Sequence, residues 1–178
     1  GHGDITSAVE EYRALLGPDN GGEPVSASTG RREINWDGVD DSEAAPNDYD
    51  PELFNSDTAP RARGIVLSSS GPIQISADAD NPTGTAPRFA HLEAGYADQF
   101  VTFSEERLFS PVESNVVEAR FFVPGTSTPA VVRGFGAVYT DVDTEHTAFE
   151  YFDVEGNSLG SYAVPLPDRG LSFLGVAF

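Results

Sequence analysis

The sequence predicts an all-β protein: a two-sheet antiparallel β-sandwich of the jelly-roll type, preceded by a short helix and an irregular acidic cover segment. Three observations lead to this prediction. From residue 63 onward the chain consists of short apolar runs separated by turn residues, which is typical of sandwiches and barrels. Apolar and polar residues alternate in residues 117–123, as in a half-buried strand. Only one segment, near the N-terminus, has helical spacing.

The N-terminal region is expected to be a helix followed by a loop-rich cover. Apolar residues recur three or four positions apart in residues 5–16, where Asp4 can cap the first turn and Gly17-Pro18 ends the pattern. The chain is then rich in glycine, proline and acidic residues up to residue 60, a composition that favours loops. We therefore assign residues 1–60 to the helix and cover segment and residues 61–178 to the sandwich, within one domain overall.

The strands of the sandwich are expected at short apolar runs bounded by turns. In chain order they are Gly64–Ser69, Pro72–Ala77, Gln99–Phe103, Val116–Val123, Ala130–Arg133, Phe135–Val142, Ala148–Val154, Ser161–Val164 and Leu171–Phe178.

The composition excludes several classes of function. The formal net charge is −19, and such a surface repels nucleic-acid phosphates and anionic membranes. No apolar stretch approaches the roughly 18 residues of a membrane span, so we expect no nucleic-acid binding and no membrane insertion. The absence of cysteine excludes disulfides and thiolate chemistry. The acid surplus suits divalent cations.

Four stretches resemble a family of exported bacterial proteins of unknown function: GRREINWDGV, SPVESNVVEARFFVPGTSTPAVVRGFGAVYTDVD, EYFDVEGNSLGSYAVP and GLSFLGVAF. The segment GFGAVYTDVD…FEYFDVEGNSLG is also similar, more loosely, to galactose-binding-like or jelly-roll sandwich modules of exported proteins. The first resemblance implies export to the cell surface or the extracellular space, and a sandwich fold. The second architecture often binds sugars and often holds a structural calcium ion.

Trp36, the only tryptophan, lies in the glycine-bounded segment GRREINWDGVDD, and two interpretations stay open. Its ring can be a platform for a sugar, with Arg32 and Tyr49 as its partners in a ligand-binding surface. Alternatively, Trp36 packs in the core beside Ile34, and the arginines pair with neighbouring acids.

A calcium site is expected at Asp141 and Asp143, with Asp37 as a further candidate ligand. At strand spacing the first two face the same side, roughly 7 Å apart, and calcium takes six to eight oxygen ligands. The segment does not match an EF-hand loop, because His146 occupies the glycine position and Phe152 the glutamate position. The alternative is a solvated acidic rim without an ion.

Two features of the sequence bear on a catalytic function. GNSLG matches the G-x-S-x-G elbow of serine hydrolases, but strand-like runs flank it and no histidine follows Ser158, so a hairpin turn is predicted. A glycoside hydrolase would need two special carboxylates, and the sequence distinguishes none. The expected function is therefore an exported, non-catalytic binding or cell-surface module for carbohydrate or a cell-surface polymer, stabilised by calcium. The alternatives are a purely structural or adhesive exoprotein domain and a carboxylate-based glycoside hydrolase.

Overall fold

The structure is a computed structural model that describes residues 3–25, 27–166 and 170–178. Strands account for 26% and helices for 12%, and every sheet is small and antiparallel. The predominantly β class is thus confirmed. In chain order the elements are α1 (Thr6–Leu16), 3-10 helices at Trp36–Gly38 and Asp41–Glu43, β1 (Ile65–Ser68), β2 (Ile73–Ile75), α2 (Tyr96–Gln99), β3 (Phe109–Pro111), β4 (Glu118–Phe121), β5 (Gly134–Thr140), β6 (Ala148–Phe152), β7 (Ser158–Ala163) and β8 (Leu171–Ala177).

The described residues form two compact units built from separate stretches of chain. The first unit contains residues 3–16, 98–103, 131–166 and 170–178, and the second contains residues 17–25, 27–97 and 104–130. The units are therefore not divided at residue 60. Our assignment of a single domain stays a prediction.

The first unit combines two antiparallel strand pairs with the N-terminal helix. Strand β5 pairs with β8 along its whole length, from Gly134 opposite Ala177 to Thr140 opposite Leu171. Strands β6 and β7 form the predicted hairpin. Helix α1 begins one residue later than expected, and the Asp4 carboxylate accepts the backbone N–H of Thr6 at 3.1 Å.

Glycines in the strand pair allow the helix to approach closely. The Tyr12 hydroxyl donates a hydrogen bond to the carbonyl oxygen of Val176 at 2.7 Å, and burial raises the pKa of Tyr12 to about 12. A Cβ atom on Gly175 would lie 2.9 Å from the rings of both Tyr12 and Phe173. Glycine is therefore needed at position 175 for the helix to pack on β8.

The second unit holds two further strand pairs and the acidic cover segment. Strand β1 pairs with β4, and β2 pairs with β3. The cover segment lies alongside β2. The backbone N–H groups of Ala45 and Tyr49 donate to the carbonyl oxygens of Ile75 and Ile73, both at 2.7 Å. Ala45, Tyr49, Ile73 and Ile75 are all buried, so the cover segment contributes to the core of this unit.

Two predicted strands are wrong and one strand was missed. Residues 100–103 follow α2 without forming a strand, and the backbone N–H of Val101 bonds the Thr140 hydroxyl oxygen instead of a ladder partner. Residues 130–133 also form none; the nearby pairing is an isolated bridge between Phe122 and Pro129, and proline cannot donate to a ladder. Strand β3 was missed because it is three residues long and ends in proline.

Candidate functional site

The segment that carries Trp36 is held in place by aromatic packing. Asn35 caps the short helix Trp36–Gly38, its side-chain oxygen accepting the backbone N–H of Asp37 at 3.1 Å. The indole ring stacks on Phe109 of β3, with centroids 4.5 Å apart and planes 13° apart. Phe54 meets the indole edge-on at 5.9 Å. Trp36 is half-buried, and the Phe109 ring occupies one of its two faces.

The Asp37 carboxylate organises the loop that precedes β3. It accepts three backbone N–H groups, those of residues 105, 106 and 107, at 3.0, 3.1 and 2.8 Å. Burial by itself raises the pKa of Asp37, but hydrogen bonds from Ser104 and from these backbone groups outweigh it, and the net pKa lies below the usual value. Asp37 therefore acts as an anionic acceptor that stabilises the fold of the second unit.

Arg107 forms a buried ion-pair cluster in the same unit. Its side chain is only 3% exposed, and its Nη2 atom donates to Asp41 and to Asp78, each at 2.5 Å. A buried guanidinium requires such partners, because an unpaired charge in the interior is very costly. The cluster joins Asp41 of the cover segment to Asp78, which lies just after β2, and to Arg107, which lies just before β3. We assign it a structural role.

The three predicted ligand-binding residues have different environments. Tyr49 is 5% exposed and its ring meets Phe109 edge-on at 5.5 Å, so Trp36 and Tyr49 contact the same ring. Burial, with nearby acids, raises the pKa of Tyr49. Arg32 donates to the backbone carbonyl oxygens of Glu23 and Val25. Their role in ligand binding stays a prediction, although Tyr49 offers almost no surface to a ligand.

The three predicted calcium ligands belong to different parts of the fold. Strand β5 ends at Thr140, and Asp141 has a left-handed φ of 54°, so the strand-spacing argument does not extend from Asp141 to Asp143. Asp141 accepts a hydrogen bond from Gln99, and Asp143 is exposed. Asp37 lies in the second unit, whereas the other two lie in the first. Among residues 3–25, 27–166 and 170–178, no group of three or more histidine or acidic side chains has the arrangement of a metal site. The calcium role stays a prediction.

The GNSLG segment lies in the β6–β7 hairpin, as predicted, but only Gly156 and Asn157 are in the turn, and Ser158–Gly160 are already part of β7. Ser158 is the first residue of β7 and pairs with Phe152, the last residue of β6. Its hydroxyl group donates to Glu150 at 3.0 Å. The strand-to-helix turn that a serine nucleophile requires is therefore not formed here.

A shallow depression in the second unit was not found by sequence reasoning. Its volume is about 350 Å³, and it is lined by Glu52, Asn55, Phe122, Gly125, Thr126 and Ser127. The Asn55 amide nitrogen bridges its two sides, donating to the Glu52 carboxylate at 3.0 Å and to the Thr126 carbonyl oxygen, 71 positions away, at 3.1 Å. The separation in sequence explains why no local motif indicates this site.

Gly125 allows the two sides of the depression to meet. Its φ is +73°, and a Cβ atom there would lie 2.4 Å from the Cβ atom of Asp57. Its backbone N–H donates to the carbonyl oxygen of Asn55 at 2.9 Å. The Thr126 hydroxyl group donates to the Val123 carbonyl oxygen at 2.9 Å. The turn that carries Thr126 and Ser127 is thus fixed against the cover segment.

Two other surfaces are less suited to a small ligand. A second depression of about 330 Å³, also in the second unit, is lined by Ser68–Ser70, Val116 and Glu118 and lacks an aromatic ring. In the first unit, Tyr151 lies between the partly exposed rings of Tyr162 and Phe178, at 5.7 and 5.4 Å. These rings meet edge-to-face, so they do not form a flat platform.

Comparisons with known proteins identify no relative. No family model matches the chain, and neither a curated protein nor a solved structure matches it. The resemblance to exported bacterial proteins therefore stays a prediction. Neither α1 nor α2 is long and apolar enough to cross a membrane, and the same holds for every helix in the described part of the chain.

Proposed function

We propose that this chain is an exported, non-catalytic module that binds carbohydrate in the depression between Glu52 and Ser127. The observation that carries the proposal is the set of residues in the lining: one phenylalanine, one threonine, one serine, one asparagine and one glutamate around about 350 Å³. Sugar-binding sites combine an aromatic face for the C–H groups with hydrogen-bonding groups for the hydroxyls. The proposal includes the two-sheet jelly-roll arrangement and a stabilising calcium ion.

The volume and charge of the depression agree with a small, non-anionic ligand. Its volume lies at the lower end of the roughly 300–1,000 Å³ found for small-molecule sites, and because the depression is shallow, a bound sugar would stay largely exposed to solvent. Of the described residues that line it, Glu52 alone is charged, and the chain carries a net charge of −19. Nucleotides and other phosphorylated ligands would be repelled.

Binding is better supported than hydrolysis. A glycoside hydrolase needs two carboxyl groups across the scissile bond, and its acid has a raised pKa. The described residues that line the depression include a single carboxyl group, that of Glu52. Elsewhere, hydrogen bonds lower the pKa values of Asp37 and Asp153, which is the opposite of what a general acid requires.

The test is sugar binding by a conservative variant of the aromatic residue. Phe122→Leu keeps an apolar side chain but removes the ring face, and Phe152→Leu is a matched control because Phe152 is 56% exposed and does not line the depression. Binding to a panel of soluble oligosaccharides would be measured by calorimetry and by NMR titration. We expect Phe122→Leu to weaken binding at least about fivefold, given the usual value of stacking contacts, and the control to bind as the wild type does.

Two results would overturn the proposal. One is the absence of binding to every oligosaccharide in the panel by the folded wild-type protein. The other is unchanged affinity in Phe122→Leu, with chemical-shift changes confined to residues outside the depression. Melting curves of both variants are needed to show that they remain folded.

A further inference from the structure

We infer that the depression selects sugars with a free, protonated amino group over their neutral and acidic counterparts. This inference rests on the proposed function and names the ligand class for the same site. Its basis is the placement of Glu52, whose carboxylate is held at the depression by Asn55 at 3.0 Å.

Glu52 has no cationic partner among the described residues. The ion pairs of that part of the chain join Arg13, Arg31, Arg61, Arg107 and Arg120 to other acids. The Asn55 amide contacts only one of the two carboxylate oxygens of Glu52, Oε2. Because Glu52 is exposed, its carboxylate is accessible to a cationic group on a ligand.

The surroundings of Glu52 add negative charge. Asp50 lies two positions before it and accepts its backbone N–H at 2.9 Å. Asp57 lies against Gly125, which lines the depression. Among the residues that the structure describes, no arginine lines the depression. The local potential therefore favours an ammonium group and disfavours a uronic acid or a sulfated sugar.

The side-chain donors of Asn55 and Thr126 are engaged within the protein. Both hydrogens of the Asn55 amide are engaged, one by Glu52 and one by the Thr126 carbonyl oxygen. The Thr126 hydroxyl group donates to the Val123 carbonyl oxygen and accepts the backbone N–H of Thr128 at 3.1 Å, so it is engaged on both sides within its own turn. An ammonium group brings three donors and no acceptor, so it suits the Glu52 carboxylate oxygen that Asn55 does not contact better than an acetamido group does.

The experiment compares four monosaccharides of similar shape: glucosamine, N-acetylglucosamine, glucose and glucuronate. Their affinities are measured by NMR titration at a pH where the amine is protonated and at fixed ionic strength. Since a hydrogen bond to an ionised group is about twice as strong as a neutral one, we expect glucosamine to bind roughly tenfold more tightly than N-acetylglucosamine. Glucuronate should bind most weakly, and the preference should decrease with added salt.

Two variants distinguish a direct contact between Glu52 and the ligand's ammonium group from a general effect of the negative charge around the depression. Glu52→Gln keeps an oxygen acceptor for Asn55 but removes the charge, so it should abolish the preference for glucosamine and still bind glucose. Asp57→Asn removes the same charge from a residue outside the lining, so it should keep most of the preference. Melting curves check that both variants are folded.

The outcomes distinguish this inference from the proposed function. If glucosamine and N-acetylglucosamine bind the wild type equally well, or if the preference persists in Glu52→Gln, the inference is wrong while carbohydrate binding stands. If none of the four sugars and no longer oligosaccharide binds, the proposed function is wrong and the inference is wrong with it.

Discussion

Replacing Asp37 with alanine is expected to lower the free energy of unfolding by about 2–4 kcal/mol. The variant loses an acceptor for three backbone N–H groups at 2.8–3.1 Å. A hydrogen bond to a charged group contributes roughly 1.5–3 kcal/mol. The three contributions do not add, because one carboxylate makes all three bonds and water reaches this half-buried residue. We therefore expect the free energy of unfolding to fall by an amount near the middle of the range of about 2–4 kcal/mol.

The variant Asp37→Asn adds a pH test. The folded-state pKa of Asp37 is lowered, so the stabilisation from its charge is complete above the unfolded-state pKa, about 3.9. It is lost as the pH falls through the lower folded-state value. Asparagine cannot titrate in this range. The stability difference between the wild type and Asp37→Asn should therefore be constant above about pH 5 and shrink towards pH 3.

The assay is urea unfolding followed by circular dichroism, because Trp36 is adjacent to the mutated residue and its fluorescence reports a local change. Ionic strength is held constant, since the chain has a net charge of −19. Asp80→Asn is the matched control: Asp80 is exposed, and this variant changes the net charge equally. A loss below about 0.5 kcal/mol in Asp37→Ala, within the usual range for surface substitutions, would refute the argument. So would a stability difference for Asp37→Asn that stays constant down to pH 3.

Three further predictions concern packing and calcium. Trp36→Ala removes the stack on Phe109 and should cost about 2–4 kcal/mol, less than a fully buried aromatic residue; native emission at the wavelength of the denatured protein would contradict this packing. Gly175→Ala forces the Tyr12 ring away and should cost about 1–3 kcal/mol; an unchanged melting temperature would refute it. Millimolar calcium should raise the melting temperature more than magnesium at equal ionic strength, and Asp141→Asn should remove the difference; identical melting curves in calcium and EDTA would disprove the site.

Local patterns predicted the elements whose partners are close in sequence. The β6–β7 hairpin was found because its strands alternate and are separated by a short turn that contains glycine. The pairing of β5 with β8 joins Gly134 to Ala177, and the sequence contains no signal for that partnership. The contact of Tyr12 with Gly175 was unpredictable for the same reason, since a glycine in a strand indicates a close approach without identifying what approaches.

The prediction that Asp141 and Asp143 share one face depends on the backbone conformation of Asp141. Alternation places Asp141 and Asp143 on one face only while the strand continues. The left-handed φ of 54° at Asp141 interrupts the alternation at the first of the two residues. Aspartate adopts this region more readily than most residues, but its identity alone does not show that it does so.

The contacts of the GRREINWDGVDD segment, which carries Trp36, could not be predicted from its composition. Trp36 was expected to be either core or ligand platform, and the ring stacked on Phe109 is part of the packing of the second unit. Asp37 bonds backbone N–H groups of residues 105–107. Every residue except proline has a backbone N–H group. The residue types therefore do not show which of these groups Asp37 binds.

Some of the acidic residues stabilise turns and loops by accepting backbone hydrogen bonds. Asp153 accepts the backbone N–H groups of Glu155 and Asn157 at 2.9 and 2.8 Å, and the Asn157 side-chain amide at 2.9 Å. These bonds, led by those from Asn157, lower its pKa. Asp153 thus shapes the β6–β7 turn as Asp37 shapes the loop before β3.

This use of carboxylates changes where a ligand should be sought. An acid whose oxygens already accept several N–H groups has little capacity left for a cation or a sugar. Asp37, a predicted calcium ligand, and Asp153 are of this kind. Glu52 is held through one oxygen by Asn55 and lines a depression with an aromatic ring. Among these three acids, Glu52 alone combines a fixed position with free acceptor capacity, and that combination makes it the residue to test first.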